Sequence, residues 1–257
     1  MSSVLDSIIE GVLEDLEKRR ISDSQLQAQL SDVQPLRGAL AALTGAGTKI
    51  VAEVKRSSPS KGELSLIANP AKLAAQYEEG GASIVSVLTE ARRFKGSIKD
   101  FQAVREEISI PMLRKDFIVT EYQVKESRVL GADLLLLIVA GLTQSQFIDF
   151  HQMANELGMD VLVEVHNQEE LERAMDASPT IIGVNSRNLK TLDVDPIAFR
   201  ELLPLIPTGI IRVAESGISE RAEVSLVEEL GAHAILVGET LVKAGDPSEA
   251  ISRLLGR

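Results

Sequence analysis

A chain of 257 residues with no cysteine can form no disulfide, no thiol nucleophile and no thiolate metal site. Its formal net charge of −11 argues against nucleic acid and anionic membranes as partners, yet leaves room for a local basic pocket that takes a small anion. The composition is 44% hydrophobic but only 3% aromatic, so the core must come from Ile, Val, Leu and Ala, which suits buried parallel strands covered by helices.

The N-terminus shows no basic stretch leading into an apolar one, so no secretory signal is expected. Instead Val4, Leu5, Ile8, Ile9, Val12, Leu13 and Leu16 recur at helical spacing with acidic residues opposite, and predict an opening amphipathic helix. Shorter helices are expected over 26–30 and 36–43, followed by a break at 44–48. Gly45-Ala46-Gly47-Thr48-Lys49 has the superficial look of a phosphate loop, but it lacks the spacing and precedes a strand instead of following one. It reads as a plain connector. From there apolar runs and helical stretches alternate, with strands predicted over 50–55, 83–88, 112–115, 133–139, 161–165, 180–185, 210–215 and 234–238. The longest apolar run, Leu134 to Ala140, is far too short to span a bilayer, and a cytoplasmic location is expected.

The helices between strands have recognisable starts. Asn69-Pro70, Asp195-Pro196 and Asp246-Pro247 each set a capping side chain before a proline at the first helical position. Thr120 with Gln123 and Thr143 with Gln146 read as capping boxes, and Asn167 with Glu170 resembles one. Gly81-Ala82, Gly131-Ala132 and Gly231-Ala232 each close a helix and enter an apolar strand. Such alternation without a composition break predicts an α/β chain folded as one closed (β/α)8 barrel, a TIM barrel, over 1–257. Residues 1–47 form a helical extension and 48–257 the barrel. An open doubly wound sheet is disfavoured, because no glycine-rich dinucleotide loop follows the first strand.

In such a barrel chemistry sits at the C-terminal strand ends. The first offers Glu53 and Lys55, two apart and so on one side of the strand; the third Arg114-Lys115-Asp116; the fifth Glu164; the sixth Asn185 with Arg187 following. The seventh gives Glu215-Ser216-Gly217 and the eighth Gly238-Glu239. A lone charge at a strand end usually just begins a solvated loop, and Arg56 and Asp116 are read that way. A structural ring of ion pairs is the other bland explanation. Both signs recurring at several equivalent ends points instead to a site. The small residues of Ser216-Gly217-Ile218 and Gly238-Glu239-Thr240 suit a phosphate held by backbone amides, with Ser58 and Lys61 able to add a hydroxyl and a cation. His151, His166 and His233 show no metal-ligand spacing; His151 reads as an ordinary helix position, His233 as part of a turn and His166 as a solvated loop residue.

At these strand ends the chain resembles the indole-3-glycerol phosphate synthase family along almost its whole length. The resemblance is carried by Ile50-Val-Ala-Glu-Val-Lys-Arg-Ser-Ser-Pro-Ser60, Leu88-Thr-Glu90 with Phe94-Lys-Gly-Ser97, and Leu113-Arg-Lys-Asp-Phe-Ile118. It continues through Leu137-Ile-Val139, Leu162-Val-Glu-Val-His166, Ile182-Gly-Val-Asn-Ser-Arg-Asn-Leu189 and Ala214-Glu-Ser-Gly-Ile218. The extra helix before the first strand also suits the family. The resemblance implies conversion of 1-(o-carboxyphenylamino)-1-deoxyribulose 5-phosphate to indole-3-glycerol phosphate, carbon dioxide and water in tryptophan biosynthesis. It implies Lys115 as principal general acid and Glu164 as base or charge stabiliser. Lys55 would lie between Glu53 and Glu164 and grip the substrate carboxylate, acting also as a second acid. Asn185 and Ser216 would orient polar groups with Glu215 nearby, and Arg187 would pair with an acid of the site. Phe94 and Phe117 would wall the aromatic ring, and Leu136, Ile138 and Leu189 complete an apolar pocket. The phosphate would meet Ser58 and the backbone around Gly217, Gly238 and Glu239, the last through its amide alone.

Three rivals are weaker. A phosphoribosylanthranilate isomerase would employ a cysteine base, which is missing, and a Schiff-base aldolase a lysine where Asn185 stands. A catalytically silent barrel would have lost the acid–base set. The expected enzyme needs no cofactor or metal, touches neither nucleic acid nor membrane, and acts as a monomer on a small phosphorylated substrate.

Overall fold

A computed structural model describes residues 3–189 and 191–257. Eight strands, β1 Lys49–Val54, β2 Ile84–Leu88, β3 Met112–Lys115, β4 Leu134–Ile138, β5 Asp160–Val165, β6 Ile181–Asn185, β7 Ile211–Glu215 and β8 Ala234–Val237, pair in sequence order. All the pairings are parallel, and β8 closes on β1 through Lys49↔Ala234 to Ala52↔Val237. The barrel class and the strand positions expected from the sequence hold. The helices are α1 Val4–Arg19, α2 Asp23–Leu30, α3 Ala39–Ala42, α4 Pro70–Glu79, α5 Ile98–Glu107, α6 Glu121–Val129, α7 Gln144–Glu156, α8 Gln168–Met175, α9 Ile197–Leu202, α10 Arg221–Glu229, α11 Glu239–Val242 and α12 Pro247–Leu255. Among the described residues no helix is long and apolar enough to cross a membrane.

Alternation along the strands divides the apolar residues into two cores. Val51, Ile84, Leu113, Leu134, Leu162, Ile181, Val213 and Ala234 belong to one cluster, the barrel interior. Their neighbours, such as Ile50, Val85, Leu135, Val163 and Ile182, pack outward with the helices. Leu5, Ile8 and Val12 of α1 join the interior cluster together with Phe117 and Ile138. Arg92 ties the loop after β2 to Glu14 and Asp15 of α1 at 2.8 and 2.7 Å.

Local chemistry sets the element ends, with some departures from expectation. Helix α2 begins earlier than predicted because Ser22 and Gln25 form a reciprocal capping box. The helix expected over 36–43 shrinks to α3, since Gly38 sits at φ 68 in the left-handed region. Thr143 and Gln146 form the predicted box. Thr120 caps the Gln123 amide, but the Gln123 side chain turns to the Val119 amide and the Phe117 carbonyl. Asp195 Oδ1 accepts from the Ile197 amide at 3.0 Å, so α9 starts one residue beyond Pro196. After β1 a short antiparallel ribbon pairs Ser57–Ser58 with Gly62–Glu63.

Two residues read as solvated are not. Arg56 pairs with Asp100 of α5 and donates to the Ile67 carbonyl at 3.2 Å. Asp116 is buried, accepting from Thr89 Oγ1 at 2.5 Å and from the Phe117 amide at 2.8 Å. Its other partner is Arg114, which the sequence grouped with the site. Arg114 is fully buried on the outer face of β3, beneath α6. Its Nη2 lies 3.2 Å from Asp116 Oδ2 and 2.9 Å from Glu126 Oε2, and Nη1 donates to Ser127 Oγ at 3.0 Å. Removing one member of such a network strands buried charge, at about 3–5 kcal/mol. Arg114→Leu is expected to be destabilised by about that amount, read as a lowered urea midpoint, with Asp116 left without a counter-ion and Glu126 with Arg19 alone.

Candidate active site

The centre of the barrel mouth is a cation between two carboxylates. Lys115 Nζ donates to Glu164 Oε2 and to Glu215 Oε2, each at 2.7 Å. Glu53, Lys115, Glu164 and Glu215 come from β1, β3, β5 and β7, the alternate strands that share a side-chain layer in this fold. Two glycines of the intervening strand ends make room for them. A Cβ at Gly183 of β6 would overlap Glu215 Oε1, and one at Gly238 would come within 2.6 Å of Glu53 Oε1.

Burial and charge act against each other here. Burial would lower the Lys115 ammonium, but Glu164, Glu215 and Glu53 outweigh it and raise it well above the usual lysine range. Burial would likewise raise Glu164, yet Lys115 and His166 hold it below the usual carboxylate range. Glu215 goes the other way, pushed up to about 7 by burial and by Glu164 despite Lys115. Its Oε1 is buried without a hydrogen-bond partner. One ammonium thus faces a firmly ionised carboxylate and a second one close to neutral protonation.

The remaining expected residues gather around this centre, with differences. Lys55 pairs with Glu53 at 2.6 Å. It does not bridge to Glu164 as expected, because Lys115, Asn185 and His166 surround that carboxylate; Asn185 Nδ2 donates to Oε1 at 3.0 Å. His166, expected in solvent, is only 10% exposed in its side chain and stands 3.2 Å from Glu164. Arg187 pairs with no acid among its described contacts. It donates to Ser60 Oγ at 3.0 Å and to the Leu192 carbonyl at 2.9 Å.

Phe94 and Phe117 stand with ring centroids 6.1 Å apart and planes tilted by 38°. The buried Glu90 carboxylate fixes the first of them by accepting from the Arg92, Arg93 and Phe94 amides. Leu136, Ile138 and Leu189 line the same cavity. Leu88, Ile218 and Leu236 line it too. The sequence reading left them out of the pocket, although Leu236 lies two residues before Gly238 and period-two alternation could have found it.

On the far side Ser216 and Gly217 take successive positive φ values of 68 and 72. Ser186 pins them, its Oγ donating to the Ser216 carbonyl at 3.1 Å. Gly238 precedes α11, and the Glu239 carboxylate pairs with Lys243 at 2.7 Å. Ser58 is the exception. It is buried in the ribbon after β1, accepts from the Lys61 amide at 3.2 Å and does not line the cavity.

A model of the indole-3-glycerol phosphate synthase family matches residues 5–254. The chain belongs to the indole-3-glycerol phosphate synthase family. The family's enzyme from Paenarthrobacter aurescens is 53% identical over 257 residues, 97% of this chain and 94% of that one. Indole-3-glycerol phosphate synthase 1 of Streptomyces coelicolor is 51% identical over 255 residues, 98% of this chain and 95% of that one. Outside the family, 3-hexulose-6-phosphate synthase from Salmonella typhimurium superposes with a TM-score of 0.66 at 15% identity, over 81% of this chain and 97% of that one, which speaks for the fold alone.

In this member of the indole-3-glycerol phosphate synthase family, a side chain at Gly183 would meet the Glu215 carboxylate. Gly183→Ala is expected to displace the Glu215 carboxylate and lower kcat by about 10²-fold, the usual penalty for shifting a catalytic group by an ångström. Steady-state kinetics beside a circular dichroism spectrum checks this; a normal kcat would show that Glu215 moves without consequence.

Proposed function

We propose that the Lys115 cluster closes the pyrrole ring of 1-(o-carboxyphenylamino)-1-deoxyribulose 5-phosphate, with Lys115 as the proton donor. The reaction is the one that makes this family's product, a decarboxylating lyase step of tryptophan biosynthesis. The observation that carries the residue assignment is the Lys115 ammonium held at 2.7 Å from each of two buried carboxylates at the floor of the cavity.

The chemistry runs in three parts. The ring carbon bearing the carboxylate attacks the ketone carbon, and Lys115 delivers a proton to the ketone oxygen as charge develops there. Loss of carbon dioxide returns the carbon–carboxyl bonding electrons to the ring. The new hydroxyl then leaves as water, taking a proton from an acid, while a base removes a proton from the carbon beside nitrogen. Ionised Glu164 serves as that base and stabilises positive charge on the nitrogen-bearing system. Glu215, balanced near neutrality, exchanges protons with Lys115 so that the ammonium is restored between steps.

Lys55, steadied by Glu53, grips the substrate carboxylate until it departs and serves as a second acid. Asn185 orients Glu164, and Ser216 the substrate hydroxyls. Phe94 and Phe117 sandwich the anthranilate ring against Leu136, Ile138 and Leu189, an environment that suits a planar apolar group. The phosphate lies at the opposite rim, on the amides around Gly217, Gly238 and Glu239 with Arg187 nearby.

Two measurements test this reading. The chain contains no tryptophan, so product formation should appear as growing indole fluorescence against a low background when purified protein meets the substrate without added cofactor. No rise in emission and no carbon dioxide release from a folded sample would reject the assignment. Separately, Lys115→Ala should lower kcat by about 10²–10⁴-fold while the affinity for a substrate analogue changes little.

A further inference from the structure

His166 follows β5 directly and is wedged between two carboxylates. Its Nε2 stands 3.2 Å from Glu164 Oε1, and its Nδ1 2.9 Å from Glu170 Oε2. Glu170 occupies the third position of α8, where a capping box would send its carboxylate back to the Asn167 amide. Instead Oε2 takes both the His166 amide at 2.8 Å and the imidazole, while Oε1 accepts from Asn167 Nδ2 at 2.7 Å. The ring is therefore gripped from behind.

A neutral imidazole has one N–H and one bare nitrogen. Nδ1 shares a hydrogen bond with Glu170, whereas the buried Nε2 meets Glu164 Oε1 as a close approach and not as a formed hydrogen bond. Carboxylates within 3.2 Å on both sides favour the charged, doubly protonated ring. We propose that His166 is a positioning residue for the reaction: clamped by Glu170, it sets a second cation beside Glu164 Oε1 that keeps this carboxylate charged. Glu164 then has Oε2 bonded to Lys115 and Oε1 bonded to Asn185, with the His166 ring nitrogen 3.2 Å from Oε1. This rests on the reading of Glu164 as a chemical carboxylate.

The titration sign agrees with the geometry. Burial would lower the imidazole, but Glu164 and Glu170 push it up to about 9. The groups facing it are Glu164 on its own strand and Glu170 on α8, with Lys115 and Glu215 beyond Glu164 from β3 and β7. Because the folded value lies above the ordinary one, the charge is complete at neutral pH and is lost as pH rises through about 9.

The test compares wild type with His166→Ala, His166→Gln, Glu170→Gln and Glu164→Gln over a full pH range, using the indole fluorescence assay. His166→Ala is expected to lower kcat about tenfold with KM changed less than about threefold, and to move the acid limb of the kcat profile up by about one unit as Glu164 loses a cation. His166→Gln should recover part of kcat through its neutral donor, but not the acid limb. Glu170→Gln should shift the limb in the same direction by less. The proposal is overturned if His166→Ala keeps kcat and the limb unchanged while Glu164→Gln is inactive. If Glu164→Gln retains full kcat, the reading of Glu164 has failed and the proposal falls with it. Should the alanine variant not fold, the ring of His166 in the wild type decides by NMR titration, assigned against substitutions of His151 and His233. A midpoint near 9 that drops in Glu170→Gln supports the clamp, and an ordinary histidine midpoint overturns it.

Discussion

The site depends on one ammonium shared by two buried carboxylates. Two like charges inside a protein repel strongly, and ions taken from water lose several kcal/mol each before any pairing is counted. Lys115 resolves this for Glu164 and Glu215 together, at 2.7 Å to both, and the imbalance left over appears as the raised proton affinity of Glu215. Beneath it lie the aliphatic residues of the interior cluster, and neither Gly183 of β6 nor Gly238 after β8 sets a side chain against it. A methyl group at either place would intrude on a carboxylate. The small residues are as much a part of the electrostatics as the charged ones.

Strand β3 repeats the motif on its other face. Arg114 and Lys115 are adjacent, so they point to opposite sides of the sheet, and each cation bridges two carboxylates: Asp116 and Glu126 outside, Glu164 and Glu215 inside. A slip of one residue in the pairing would exchange a guanidinium for an ammonium in the pocket and bury unpaired charge on both faces. The outer network extends to α1, where Arg19 reaches Glu126 Oε2 at 2.8 Å. The N-terminal extension is therefore coupled to the strand that presents Lys115, as well as covering the aromatic wall with Leu5, Ile8 and Val12.

The sequence disclosed the barrel because its signals are local. Apolar runs, capping residues and the Gly-Ala turns each act within a few positions, and the charged strand ends interrupt those runs where the fold places chemistry. What stayed hidden depends on partners distant in the chain. Asp116 looks like the start of a loop until Thr89 comes alongside. His166 looks solvated until α8 folds back and diverts Glu170 from its cap. The choice of Lys115 over Lys55 as the partner of Glu164 depends on strand register, and no spacing rule encodes it. Leu36 to Leu43 has helical periodicity, but Gly38 at positive φ breaks the run, a backbone event that side-chain pattern does not report.

The two ends of the cavity use different physics, and their separation explains how an acidic chain can work on an anionic substrate. At −11 the protein repels anions at long range, but that field is screened within about 10 Å at moderate salt. On the proposed assignment, capture of the phosphate falls to close, fixed backbone dipoles. Ser216 and Gly217 both adopt positive φ, which a serine takes only where the surroundings impose it. Here Ser186 supplies that constraint with a hydrogen bond to the Ser216 carbonyl, and Val194 packs where a side chain on Gly217 would otherwise go. The strained turn directly continues from Glu215, so the residue that shares Lys115 is joined in the chain to the amides proposed for the phosphate. In the proposed function, a phosphate anchored on that turn would set the reacting ketone relative to Lys115 without adding a charge to the crowded centre, which is how binding energy far from the reacting bonds lowers the barrier at them.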